Sequence, residues 1–288
     1  MHYSNPVTEL IKQRFSCRSY LKTPIKEEQL QQLEAYLSTT QRVPFGARTR
    51  FKLIAATPQD QNALKGLGTY GFIKNPRAFI ISAMEDSDKG LEDLGYLMER
   101  IILFATDIGL GTCWLGGTFT KSRFARKISV RDGESVPIVT SVGYIAEGSE
   151  NGIIRQRAKG ARRQPWDKMF FDRRFGTPIS RDAAGAYSVP LEMVRLGPSA
   201  SNKQPWRIVK DGAIWHFYLQ RTPGYRSGWE MKLLKIADMQ RVDMGIAMSH
   251  FELTAKELGL RGEWPPACAT PTIANPSRGW TAKLCGLI

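Results

Sequence analysis

The sequence predicts an α+β fold written twice along one chain, and three observations carry the prediction. The stretches Asp93–Trp114 (DLGYLMERIILFATDIGLGTCW) and Asp243–Trp264 (DMGIAMSHFELTAKELGLRGEW) align without a gap at an offset of 150 residues. Asp93, Gly95, Met98, Leu103, Ala105, Gly109, Leu110 and Trp114 recur as Asp243, Gly245, Met248, Leu253, Ala255, Gly259, Leu260 and Trp264. Helical and short strand-like segments alternate without strict βαβ regularity, so a mixed sheet with helical layers is expected rather than a doubly wound one. Finally, 288 residues can hold two units of about 100–150 residues, each with its own apolar core. The boundary is expected between 160 and 161, giving half-units 1–160 and 161–288 packed tightly on each other.

In the first half, Glu27–Tyr36 reads as an amphipathic helix with Leu30, Leu33 and Leu37 at helical spacing. Phe51–Ala55 and Ala78–Ala83 read as strands, the second a buried one. The repeated helix follows, apolar at Leu94, Leu97, Met98, Ile101, Ala105 and Ile108. Its second copy is apolar at Met244, Ala247, Met248, Phe251, Ala255 and Leu258, so both are expected to bury the same face. Gly109 and Gly259 sit where a left-handed cap would stop each helix. Pro137–Ile145 reads as a strand and Arg155–Arg174 as a basic connector. In the second half Ala183–Leu196 reads as a helix, and Trp206–Leu219 as a strand pair turned at Asp211–Gly212. A tail punctuated by Pro and Gly runs from Pro265 to an apolar end at Leu284–Ile288.

Composition excludes several function classes. Hydrophobic content of 42% and charged content of 24% describe an ordinary globular protein. Cys17, Cys113, Cys268 and Cys285 are scattered without a CxxC, and only His2, His216 and His250 are available. A disulfide framework, a zinc site and metal catalysis are therefore not expected. With no signal-like or membrane-length apolar run, a cytoplasmic protein is expected, with no membrane partner. The net charge of +14 invites a nucleic-acid reading, but its distribution argues against one. Arg155–Arg174 holds eight basic residues against Asp167 and Asp172, which points to a local anion site, and no nucleic-acid-binding motif accompanies it.

Three motifs carry chemistry. In Arg14-Phe15-Ser16-Cys17-Arg18, two arginines four apart with a hydroxyl between them can converge on one anion; a solvated basic turn is the plain alternative. The loop Gly197-Pro198-Ser199-Ala200-Ser201-Asn202-Lys203-Gln204-Pro205-Trp206 offers amides, hydroxyls and a carboxamide without charge, though Pro, Ser and Asn are turn residues in any case. Gly109-Leu110-Gly111-Thr112-Cys113-Trp114-Leu115-Gly116-Gly117 follows a helix, which excludes a dinucleotide-binding fingerprint. Its Gly116-Gly117 end lets backbone lie against a flat ligand. In the second copy Pro265 and Pro266 stand there instead, and proline has no N–H to donate.

Together these segments resemble the nitroreductase family of FMN flavoproteins, and the duplication resembles more narrowly its single-chain group, the putative TM nitroreductases. The resemblance implies a nitroreductase-like fold in which two half-units form a pseudo-dimer within one chain. The first half keeps RFSCR and the glycine loop but has Val43–Phe51 (VPFGARTRF) where the PSASNKQPW loop would recur. The second half keeps that loop but near its start has only Arg173-Arg174-Phe175-Gly176. By resemblance, Arg14 and Ser16 hold the FMN phosphate and ribityl chain, with Phe15 between them, and Arg18 faces the pyrimidine edge of the ring. Pro198, Ser199, Ala200 and Asn202 line the opposite side. Trp114, Leu115, Gly116 and Gly117 run past the ring, with a backbone N–H near Gly116 or Gly117 donating to flavin N5. Arg162 and Arg163 match the late basic pair that closes on the phosphate.

The implied activity is hydride transfer from NAD(P)H through FMN to a small acceptor such as a nitroaromatic or quinone, with no catalytic side chain because the flavin carries the chemistry. One FMN per monomeric chain is expected. A flavin carrier or sensor without turnover, its ring covered by Trp229, Tyr225 or Phe45, stands as the alternative. A third reading keeps the fold, loses the flavin and gives the basic face to nucleic acid.

Overall fold

The computed structural model describes residues 3–39, 42–225 and 236–264, and the backbone of 280–287. The chain divides into two units, Met1–Gly90 with Leu97–Gly160, and Leu91–Tyr96 with Ala161–Ile288. Trp229, Pro265, Pro266, Cys268 and Ile288 lie outside the described residues.

The first unit contains helices α1 (Val7–Gln13) and α2 (Glu27–Ser38), strands β1 (Thr49–Ala55) and β2 (Ala78–Glu85), and the long helix α3 (Gly90–Asp107) from Leu97 onward. Strand β3 (Gly111–Leu115), helix α4 (Lys121–Ile128), strands β4 (Glu134–Ser135) and β5 (Val139–Gly143), and the short helix α5 (Ile153–Arg157) complete it. The sheet runs β1-β2-β5-β3, antiparallel throughout, with β4 on β2. β2 is buried at every residue but Glu85. Helix α2 turns Leu30, Leu33 and Tyr36 to the core, while Leu37 is only partly covered. Helix α4 was not visible in the sequence, because KSRFARKI offers only two buried apolar residues, Phe124 and Ile128. Phe124 packs edge-on against Phe79 and Phe119, at 5.0 and 5.4 Å. Its last carbonyls accept from β1: Lys52 Nζ donates to Lys127 O, and Arg50 to Ile128 O and Ser129 O. Cations thus cap the negative end of the helix.

The second unit contains β6 (Phe170–Asp172), α6 (Arg181–Ala184), α7 (Ser188–Leu196), β7 (Trp206–Asp211), β8 (Ile214–Gln220), α8 (Met239–Glu257) and β9 (Trp280–Leu287). Its sheet runs β6-β7-β8-β9, parallel between β6 and β7 and antiparallel elsewhere. Two expectations are corrected here. Arg155–Arg174 is not simply a connector, since Phe170 and Phe171 are buried and pair with β7 as a strand. Ala183–Leu196 is not one helix, because Gly185, at φ +58°, breaks it into α6, a single 3-10 turn and α7.

The repeated segment explains its own glycines. Within the second unit, a Cβ on Gly245 would lie 1.9 Å from Glu92 O and 2.6 Å from Tyr96 N, and one on Gly95 would lie 2.2 Å from Val242 O. Helices α3 and α8 therefore cross with their backbones touching, which only glycine permits. The crossing is flanked by Arg241, whose Nε and Nη2 donate to both oxygens of the buried Glu92 at 2.8 and 2.6 Å, and by Tyr96 Oη donating to Glu252. Gly109 and Gly259 take φ +82° and +73° at the helix ends. The expected buried stripe holds except at its last position: Leu258 is 45% exposed, because it stands beyond the final helical turn as the cap residue.

Candidate functional site

The first unit assembles three of the predicted segments. Helix α1 ends at Gln13, and Arg14 turns extended (φ −63°, ψ 131°), which carries the following residues alongside β3. Ser16 bridges Thr112 in parallel, and the Cys17 N–H donates to Thr112 O at 2.8 Å. The arginine motif thus runs as an extended segment beside β3, which holds the start of the glycine segment. A side chain on Gly111 would meet Cys17 Cβ and Sγ at 3.1 and 3.2 Å, so the bare backbone is what allows the approach. Cys17 is buried, and burial pushes its thiol pKa up, so it is held as a packing residue rather than a nucleophile.

Arg14 is 8% exposed, with Nε 3.4 Å from Glu99 Oε1. Glu99 is fully buried on α3, and its other oxygen accepts the Trp114 indole N–H at 3.0 Å. One carboxylate therefore holds both the first arginine of the motif and the tryptophan of the glycine segment. Arg18 is partly exposed, and among the described residues its guanidinium donates only to Ser16 O, at 3.3 Å. Arg155, from α5, stands over the Phe15 ring at 5.4 Å, and its guanidinium makes no hydrogen bond or ion pair among the described residues. Burial, together with the nearby Arg14 and Arg18 charges, lowers its pKa. The three guanidinium groups thus lie close enough to repel one another, with Glu99 paired to Arg14 and Glu150 near Arg155, and the remaining excess of positive charge favours a bound anion. Past the buried Leu115, Gly116 is partly covered and Gly117 exposed.

The second unit holds the polar loop between α7 and β7. Its Ala200 N–H donates to Asp243 Oδ1 at 2.9 Å, and the Gln204 N–H to Ser199 Oγ at 2.8 Å. Segment 162–164 straps it from outside. Asn202 Nδ2 and Gln204 Nε2 donate to Arg162 O, the Gln164 N–H donates to Gln204 Oε1, and Arg163 Nε and Nη2 both donate to Leu196 O. The strap holds a strained backbone: Ser201, Asn202 and Gln204 have φ of +50°, +54° and +49°. Left-handed serine and glutamine are costly, and such strain collects at ligand-holding loops. Pro198, Ser199, Ala200 and Asn202 all stay partly exposed. Asp243 is buried with Oδ2 unpaired, and burial raises its carboxyl pKa well above the usual range.

Of the predicted residues, Arg14, Phe15, Ser16, Arg18, Trp114, Leu115, Gly116 and Gly117 stand in the first unit. Arg162, Arg163, Pro198, Ser199, Ala200 and Asn202 stand in the second. Sequence reasoning missed Glu99, Asp243, Gln204 and Arg155. Asp243 left a signal in its recurrence with Asp93, and Gln204 lay inside a singled-out motif. Arg155 was hidden among seven other cations, and Glu99 left none, since its counterpart in the second copy is Ser249.

The family model described as Putative TM nitroreductase matches residues 6–255 of the chain. The chain is similar over 100% of its length to the crystal structure of a putative nitroreductase from Thermotoga maritima, of which it covers 95%, at 21% identity and a TM-score of 0.62. That likeness gives the fold as nitroreductase-like. A putative nitroreductase in complex with FMN from Desulfovibrio desulfuricans matches 50% of this chain and 88% of its own, at 20% identity and a TM-score of 0.40. An FMN-dependent nitroreductase from Clostridium difficile matches 48% and 87%, at 20% identity and a TM-score of 0.37. No curated protein matches the sequence. Among the described residues, no helix is long and apolar enough to cross a membrane.

Proposed function

The chain belongs to the family described as Putative TM nitroreductase, and from that premise we propose that it is an FMN-dependent oxidoreductase taking hydride from NAD(P)H and passing it to a small acceptor. The observation that carries the reading is the cluster of three arginines, Arg14, Arg18 and Arg155, with Glu99 paired to Arg14 and Glu150 near Arg155. A phosphate monoester carries about two negative charges at neutral pH, which suits that excess of positive charge. Bound FMN would supply the chemistry itself, accepting hydride at N5 and releasing it to a nitroaromatic or quinone.

In this proposal the chain's own residues bind, orient and tune. Arg14 and Arg155 hold the phosphate with Ser16, and Arg18 supplies positive charge at the pyrimidine edge, where the reduced ring is anionic. Glu99 fixes Arg14 and Trp114 relative to each other, so the backbone from Trp114 to Gly117 is set with respect to the phosphate. Pro198, Ser199, Ala200 and Asn202 present their small polar surface to the ring, and Arg162 and Arg163 act as the strap that keeps that loop strained. The third cation is thus assigned to Arg155, because the Arg163 guanidinium is already committed to Leu196 O. Since neither unit carries both sets of motifs, one FMN per chain is proposed, the halves acting as an internal pseudo-dimer.

Comparing FMN with riboflavin tests the assignment, since the two differ only in the phosphate. Arg14→Ala and Arg155→Ala should each weaken FMN binding by about 10- to 100-fold, the equivalent of one or two charge-assisted hydrogen bonds. Riboflavin affinity should stay within a few-fold. Equal losses for both ligands, or none for either, would overturn it. NAD(P)H oxidation by the FMN-loaded protein then separates an enzyme from a flavin carrier.

A further inference from the structure

The flavin motifs leave one cavity unused. It lies in the first unit, has a volume of about 490 Å³, and is bordered by the loop before β1, the end of α2 and one face of α3. That volume falls in the range of about 300–1,000 Å³ typical of small-molecule sites. Its position in the fold is informative. Helix α2, its loop and β1 precede the long helix α3 as α7, its loop and β7 precede α8. The second unit keeps the PSASN loop at that point, whereas the first unit has Val43 to Arg50, with two arginines.

The lining has two characters. Tyr36, Leu97 and Ile101 make an apolar floor, and the Tyr36 ring is fixed by stacking on Phe104 at 4.3 Å. Around the rim the charges do not cancel. Arg50 and Glu134 neutralise each other through bonds of 2.7 and 2.6 Å, and Arg50 spends further donors on the α4 carbonyls. That leaves Arg48 and Arg131 against Glu85 alone. The Arg48 side chain is 83% exposed and reaches Glu85 only at 3.9 Å, while the Arg131 guanidinium makes no hydrogen bond among the described residues and acts on Glu134, which Arg50 already holds, through its charge alone. Within the wall, the Thr49 hydroxyl is buried and has no hydrogen-bond partner among the described residues. An unpaired buried donor, two loosely held cations and an apolar floor call for an acceptor-rich head on a hydrophobic body.

We propose that this cavity is a second ligand site, distinct from the flavin motifs, for a small organic anion with an apolar body and a carboxylate or sulfonate head. The head meets Thr49 Oγ1 and the Arg48 and Arg131 guanidinium groups, and the body lies on Tyr36, Leu97 and Ile101. FMN itself does not suit it, because the loop at this position lacks the small polar residues of the PSASN segment.

Anilinonaphthalene sulfonate is a probe of that chemistry, titrated by calorimetry into protein saturated with FMN. One site per chain is expected. Arg48→Glu should weaken the probe by about tenfold, the loss of one charge-assisted contact, with FMN retention unchanged. Thr49→Val should weaken it by several-fold, and Ile101→Trp, which fills the floor, should abolish binding. Failure of the probe to saturate, displacement by excess FMN, or wild-type affinity in both Arg48→Glu and Thr49→Val would overturn the proposal. Equal affinity for uncharged anilinonaphthalene would overturn its anionic part. Should the protein take up no FMN, the flavin reading fails on that measurement, and the same probe titration still decides the cavity.

Discussion

Replacing Gly245 by alanine sets two opposed effects against each other at one residue. Alanine in a helix interior is favoured over glycine by about 1 kcal/mol, so propensity alone predicts a more stable protein. The added Cβ, however, would stand 1.9 Å from Glu92 O and 2.6 Å from Tyr96 N. Both neighbours are backbone, so no side chain can rotate away. Helices α3 and α8 would have to separate by more than 1 Å there, an overpacking strain of about 1–3 kcal/mol before secondary losses. Separation also stretches the Arg241–Glu92 pair, in which Glu92 is 2% exposed, and breaking a buried pair adds about 3–5 kcal/mol at the limit. The clash wins, and a net loss of about 2–4 kcal/mol is expected, a fall in Tm of roughly 5–15 °C for units of this size. Gly259→Ala is the comparison: nothing lies within 4 Å of its Cβ, and only its φ of +73° opposes alanine, at about 1 kcal/mol. Thermal melts followed by circular dichroism decide the order. Gly245→Ala melting at or above the wild-type temperature, or above Gly259→Ala, would refute the close crossing.

Two carboxyls give opposite pH dependences. The bidentate bond from Arg50 holds the Glu134 carboxyl down at about 2 against an ordinary 4.5, so its contribution is complete above pH 4.5 and is lost as pH falls towards about 2. Glu134→Gln should therefore lower Tm at neutral pH and flatten the acid limb between those values. Asp243 is raised by burial, so the folded state favours its protonated form and its contribution is lost as pH rises through the folded pKa. Asp243→Asn keeps an oxygen to accept from Ala200 N, and its stability relative to wild type should improve as pH rises from about 4 towards the folded pKa of Asp243. A constant difference across that range would show that the fold does not raise the Asp243 pKa.

What could be read in the sequence was whatever depends on local pattern. Helices α2, α3 and α8 announce themselves by apolar spacing, and the β7–β8 turn by Asp211–Gly212. Helix α4 did not, since two large apolar residues among four cations make no periodic signal. Strand β6 was hidden for a related reason: three residues inside a basic run look like loop until β7 pairs with them. The same limit applies to the site. The arginine motif and the polar loop are contiguous and could be named residue by residue. Glu99, Arg155 and Asp243 act only through partners distant in sequence, so their types could be seen but not their roles. The recurring Asp93 and Asp243 illustrate the gap, because the repeat marked the position while the bond to Ala200 had to come from the fold.

One flavin per chain is what the proposed function requires of the unequal halves. Its most direct test is to purify the chain without added cofactor, reconstitute it with excess FMN, remove the free flavin, and measure released FMN against protein. One FMN per chain is expected, falling sharply in Arg14→Ala. Two per chain would mean that each half binds on its own, and none after reconstitution would mean that the three arginines serve another anion.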